Sequence, residues 1–285
     1  MNKKFKGIIY IICAGFFFAL MTFFVRLSGD LPTMQKAFFR NAVAALVAFF
    51  MLMRTPEKLK IKKGSLPMLI LRATCGTIGL IFNFYAIDKI NISDANMLNK
   101  LSPFFAIVAS YFILKEKATI VEWITVAIAF AGSLFIIKPS FDIASVYALI
   151  GALGGLFAGL AYTFVRKLGQ FGERGPVIIM FFSAFSSVIC LPFLIFDYHP
   201  MEVWQLGYLL LSGIAAAGGQ IFITKAYTFA PAKEISVFDY TQVVFAALLG
   251  FIFLGQIPDI WSIVGYVVII GCAIYKWHYM NRLTE

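Results

Sequence analysis

The stretch GFFFALMTFFVR, residues 15–26, returns as GLFAGLAYTFVR at residues 155–166, with six of twelve positions identical. Gly15/Gly155, Phe17/Phe157, Leu20/Leu160, Phe24/Phe164, Val25/Val165 and Arg26/Arg166 match at a constant offset of 140. A repeat of that period must be read before any local feature, because it fixes how the chain is built. The same offset sets Phe105 on Phe245, Ala106 on Ala246 and Leu114 on Leu254.

Hydropathy supplies the units between the copies. The chain of 285 residues is 61% hydrophobic and 13% charged, with mean hydropathy +0.88 and 32 phenylalanines. Soluble domains run near 45–50% apolar and about 25% charged, so the chain is predicted to be an integral membrane protein. Apolar runs long enough to cross about 30 Å of hydrocarbon lie at 7–27, 33–53, 66–87, 95–114, 118–137, 145–166, 176–196, 203–226, 234–254 and 258–277. Unbroken runs of that length are transmembrane α-helices, since barrel strands alternate over about ten residues. The basic, apolar start resembles a signal peptide, but it has no small-x-small cleavage site, and a retained first helix is expected.

Five helices per copy is an odd number, so the second copy enters the membrane from the opposite side. The prediction is an all-α, ten-helix fold in a 5+5 inverted-topology repeat, with repeats at 1–142 and 143–285. Charge agrees with it. With the N-terminus inside, sixteen lysines and arginines fall on inner segments, and only Arg26, Lys89 and Lys138 on outer ones. That positive-inside bias puts both termini in the cytoplasm and accounts for the net charge of +10 without a nucleic-acid partner. Short connections leave no room for a catalytic head. Cys13, Cys75, Cys190 and Cys272 all lie in predicted spans, and His199 and His278 have no metal-ligand spacing.

Inverted repeats suit carriers, in which two related bundles rock about a midplane site. A charge at the bilayer centre costs at least about 2.5–3.5 kcal/mol, so charges within spans mark the site. Lys36, Arg40, Arg72, Lys100 and Lys225 are the cations, against Glu122 and Asp239. Lys36 reads as snorkelling to headgroups and Glu122 as interfacial beside Trp123. Arg40, beside Asn41, is too deep for that, and for Arg72 gating competes with snorkelling. Lys100 lies next to Asn99 and three residues before Pro103, which breaks the helix by removing an N–H and clashing with the Asn99 carbonyl. Such breaks are tolerated where they line a cavity. The offset sets Asn99 on Asp239 and Lys100 on Tyr240, so LNKLS (98–102) faces FDYTQ (238–242).

The candidate substrate contacts are therefore Lys100, Asn99, Asp239, Tyr240, Gln242, Asn83, Lys225, Arg40 and Tyr162. Asp239, Arg72 and Pro103 are candidates for gating or coupling. Lys100 meets either the substrate or Asp239, and Lys225 either Asp239 or a ligand anion.

LSP (Leu101, Ser102, Pro103), LKE (Leu114, Lys115, Glu116) and AGSLFIIKP (131–139), in this order across ten spans, resemble the drug/metabolite transporter superfamily of EamA type. LRATCGTIGLIFNFYAIDKINISDA (71–95) is similar to the solute carrier 35 G branch. The resemblance covers essentially the whole chain. It implies a carrier of amino acids, nucleotide sugars, nucleotides, choline, organic anions or other metabolites, and no catalysis. Two departures stand out. Val243 stands where span nine of the family commonly carries a kinking proline, and Gln256 closes LGQ in place of LGE. Span one also lacks the acidic residue of the small multidrug branch, which argues against proton-coupled export of lipophilic cations.

The excess of buried cations favours an anionic or zwitterionic small-molecule substrate, moved by alternating access. No ATPase motif, cofactor site or metal site is present, so a gradient, a coupling ion or a counter-substrate supplies the energy. The expected setting is the lipid bilayer of the bacterial inner (plasma) membrane, as a multi-pass monomer or homodimer. An amino-acid or metabolite efflux carrier is the alternative within the class; a membrane channel is the alternative outside it.

Overall fold

The structure is a computed structural model that describes residues 3–115, 119–138, 143–229 and 236–282. The predicted repeat boundary at 142/143, with Glu116 and Pro139 of the family motifs, touches segments outside the described residues. Helices α1 (Lys3–Leu27), α2 (Thr33–Met53), α3 (Leu66–Lys89), α4 (Ile92–Asn99), α5 (Ser102–Ile113) and α6 (Ile120–Ile137) form the first half. Helices α7 (Ile143–Gln170), α8 (Gly175–Phe196), α9 (Val203–Phe229), α10 (Thr241–Leu254) and α11 (Ile260–Arg282) form the second, with a 3-10 turn at Ser236–Tyr240 before α10.

Eight of these helices are long and apolar enough to cross a membrane. The other two spans are broken. Span four is α4 plus α5, and span nine is the 3-10 turn plus α10. Helix is obligatory because lipid offers no partners for a bare backbone. Pro67, Pro103 and Pro176 lie in first turns, where a missing N–H costs nothing, and Pro192 lies inside α8. Gly255, at φ 61°, closes α10 in a left-handed cap.

Packing obeys the repeat. Helix α1 packs on α9 as α7 packs on α3, α1 on α10 as α7 on α5, and α2 on α9 as α8 on α3. The pairs α2–α8 and α6–α11 each join a helix to its own counterpart, and α4–α10 joins the two broken spans. Repeat-related glycines make the closest of these contacts possible. A Cβ on Gly15 would lie 3.1 Å from the Gln242 amide nitrogen, and one on Gly155 would lie 2.6 Å from the Leu98 carbonyl. Each glycine presses against the break in the opposite crossing span.

Burial is inverted relative to a soluble protein. Phe112, Phe196 and Phe251 are largely exposed on the outer surface, whereas Lys36, Asn41 and Asn96 are fully buried. Only a lipid surround makes that distribution stable.

Several sequence expectations change. Helix α3 runs on to Lys89 and α4 begins at Ile92, so Asp88 and Asp94 join the acidic residues of the spans. Lys36 does not snorkel: it is buried and pairs with Asp88 at 2.7 Å. Glu122 caps α6 in a capping box with Thr119. Gln256, the departure from LGE, accepts the free Ile92 N–H at the start of α4 at 3.1 Å.

The bundle end carrying both termini is clamped by Glu173. Its carboxylate accepts from the Ser65 hydroxyl at 2.6 Å and from the Lys62 and Arg174 amides at 2.9 and 3.0 Å. Arg174 continues the clamp to Glu57 and to the Lys58 and Lys60 carbonyls. Burial works to raise the Glu173 carboxyl, but these donors and the Arg174 charge together hold it below the usual carboxylate range.

Two expectations follow from these contacts. A carboxyl held low stabilises the fold above its unfolded value, and loses that contribution as pH falls through its folded value. Glu173→Gln should lower the melting temperature by about 2–4 °C at neutral pH. The gap to wild type should close as pH drops below the ordinary carboxylate range; a pH-independent gap would contradict the clamp. Gly155→Ala, scored by monodispersity and melting temperature, should cost about 1–3 kcal/mol. Gly207→Ala, where an added Cβ meets nothing within 4 Å, should be neutral.

Candidate functional site

Both crossing spans break at the same register. Helix α4 ends at Asn99, Lys100 and Leu101 form a turn, and α5 begins at Ser102. In the other half the 3-10 turn ends at Tyr240 and α10 begins at Thr241, the positions that the 140-residue offset assigns to Lys100 and Leu101. Span nine therefore breaks without a proline, despite Val243. The two halves meet through side chains across the breaks. Lys100 Nζ bonds Asp239 Oδ2 at 2.5 Å, and the Tyr240 hydroxyl donates to the Lys100 carbonyl at 3.2 Å. The backbone acceptor that finds a new partner is thus that of Lys100, one residue past the carbonyl that Pro103 was expected to displace.

Around this bridge the polar groups form one chain. Gln242 Nε2 donates to Asn96 Oδ1 at 2.6 Å. Asn96 Nδ2 donates to the Thr22 hydroxyl at 3.2 Å and to the Ile92 carbonyl at 2.7 Å. Thr22 lies on α1, so three spans are tied at this level. Its repeat counterpart is Tyr162 on α7. Asn96 and Thr22 are the residues that sequence reasoning left off the candidate site. Asn96 could have been found, since it lies one helical turn before Lys100 and shares its face.

A second cluster lies on α2, α3, α7 and α8. Arg40 and Arg72 are each buried, and Tyr162 lies within electrostatic range of both, as Arg72 does of Arg40. Tyr162 also feels Asp239, which links the cluster to the crossing spans. Arg40 Nη1 donates to Asn41 Oδ1 at 2.6 Å, but its Nε has no partner. Arg72 stacks over the Phe182 ring at 3.9 Å, and neither its Nε nor its Nη1 has a hydrogen-bond partner. Gly76 makes the room: a Cβ there would lie 2.7 Å from Arg72 Nη1 and 2.9 Å from the Phe182 ring.

The remaining candidates distribute unevenly. Asn83 is buried on the Arg72 stripe of α3, and its Oδ1 has no partner. Asn99 is half-buried, and Asn96 takes the hydrogen bonds expected of it. Lys225 does not pair with Asp239, which bonds Lys100 instead; it is exposed, 5.9 Å from the Tyr10 ring. No group of three or more metal-ligating side chains exists among the described residues.

Comparison with known proteins gives the lineage. The chain is 32% identical over 272 residues to the pseudopaline exporter CntI of Pseudomonas aeruginosa (strain UCBPP-PA14), covering 94% of this chain and 95% of the relative. It is 26% identical to human solute carrier family 35 member G1, covering 97% and 81% of the two chains. A riboflavin transporter of Brucella anthropi is 25% identical over 86% of this chain and 88% of its own. A crystal structure 14% identical superposes with a TM-score of 0.67 over 98% of this chain and 99% of that one, which shows a shared fold. The profile of the EamA-like transporter family matches residues 5–138 and again 145–275, and the chain belongs to that family.

Proposed function

We propose that this protein is a secondary-active or facilitative carrier that moves a small polar metabolite, anionic or zwitterionic, by alternating access. The observation that carries the reading is the Lys100–Asp239 bridge between two spans broken at repeat-related positions. A buried ion pair is held at a desolvation cost that offsets much of its attraction. It is therefore well suited to open when a substrate supplies equivalent charges, and to re-form when the substrate leaves.

In this reading the repeats, 1–142 and 143–285, are the rocking units, and Lys100, Asp239, Tyr240, Gln242 and Asn99 line their shared centre. Pro103 sets the hinge on one side, and Asn83, Arg40, Arg72 and Tyr162 complete the chamber. The protein resides in a bacterial plasma membrane with both termini cytoplasmic, a setting supported by the sixteen-to-three distribution of basic residues. The relation to a pseudopaline exporter supports efflux as the direction.

Two measurements test the proposal. In proteoliposomes loaded with a mixed metabolite pool, unlabelled substrate on the far side should accelerate uptake of labelled substrate; a channel would show no such acceleration. Lys100→Ala and Asp239→Ala should each lower exchange by about tenfold or more. The double variant should recover part of the fold stability lost by either one, because a lone buried charge costs more than an absent pair. Strict additivity in the melting temperatures would remove the pair from the mechanism.

A further inference from the structure

Arg72 is the least satisfied group in the interior. It is 7% exposed, yet among the described residues it forms no ion pair, and its Nε and Nη1 lack any acceptor. Arg40, 3% exposed, has only Asn41 as a hydrogen-bond partner and likewise forms no ion pair. Guanidinium groups stay charged in proteins, so the packed helices α2 and α3 each carry a buried positive charge with no carboxylate partner among the described residues. The two buried lysines, by contrast, are each paired with a carboxylate: Lys36 with Asp88 and Lys100 with Asp239. Leaving a buried donor unmade costs about 1–3 kcal/mol, more when it is charged. An arrangement of this kind persists when a ligand collects on it.

We propose that Arg40 and Arg72 are the substrate's anion anchor, and that the substrate brings two negative charges to them, as a dicarboxylate or a phosphate monoester. The inference rests on the carrier reading for its meaning and refines the substrate class. Two uncompensated positive charges are neutralised by a dianion and only half neutralised by a monocarboxylate. A simple amino acid is a poor match, because its single carboxylate leaves one of the two guanidinium groups uncompensated. The fork geometry of arginine suits two-point contact with carboxylate or phosphate oxygens. Two local features hold Arg72 in place: Phe182 supports its plane and Gly76 leaves it room. Lys100 then serves the latch between repeats, and the arginines select the charge.

The experiment uses the full-length protein in detergent or nanodiscs, probed with succinate, inorganic phosphate, butyrate and choline at equal ionic strength. Succinate or phosphate should raise the melting temperature in a saturable way, with butyrate at least about tenfold weaker and choline inert. Arg40→Gln and Arg72→Gln should each weaken the dianion by tenfold or more. Arg72→Lys should restore charge but only part of the affinity, and Gly76→Ala should act in the same direction as Arg72→Gln. Monodisperse elution of each variant, with the Glu173 clamp as an internal stability reference, separates loss of site from loss of fold. Equal response to butyrate, unchanged dianion affinity in both Gln variants, or no response to either dianion at 10 mM overturns the anchor. Counterflow separates the two readings. Exchange that persists unchanged in the Gln variants refutes the anchor and keeps the carrier, whereas arginine-dependent binding without exchange keeps the anchor and refutes the carrier.

Discussion

A helix can break in the middle of a membrane only if the backbone groups it releases find partners inside the protein. This chain breaks two helices at one level, and span nine repairs the break in span four. Tyr240 from span nine bonds the carbonyl of Lys100 in span four, and Lys100 in turn neutralises Asp239 beside Tyr240. Asn96, Gln242 and Thr22 extend the repair to α1.

That crossing dictates the rest of the packing. Two spans can approach so closely only where neighbouring helices lack side chains, and Gly15 and Gly155 provide that relief from opposite sides. Helices α1 and α7, which carry them, are each held by a counterpart from the other half, α9 and α3. The two-fold relation thus runs outward from the breaks to the periphery, where exposed phenylalanines meet lipid. The charged clamp of Glu173 and Arg174 lies at the bundle end, in water, where it ties connecting loops without burdening the interior.

The interior separates its charges by role. Lys36–Asp88 and Lys100–Asp239 are neutral pairs, each joining two helices. Arg40 and Arg72 are unmatched, and their surroundings hold them in place without neutralising them. The contrast gives the anion anchor its force: a fold that pairs both of its buried lysines with carboxylates leaves these two arginines open.

What the sequence by itself determined follows from periodicity and composition. The 140-residue repeat, the odd number of apolar runs in each copy and the family motifs together specify a ten-span inverted repeat, because hydrophobic length and repeat register are properties of the chain alone. Lys100 and Asp239 were legible for the same reason: charge in an apolar run has no other explanation. Pairing was not legible. Whether Lys100 met a ligand or Asp239, whether Lys36 reached headgroups or Asp88, and where Lys225 went all depended on which side chains lay within about 3 Å. The break in span nine was hidden because Val243 carries no breaker signal, and span four imposes it through packing. Asn96 looked like one amide among several until Gln242 and Thr22 closed on it. Partners in three dimensions are set by how helices cross, and that is decided only when the whole bundle packs.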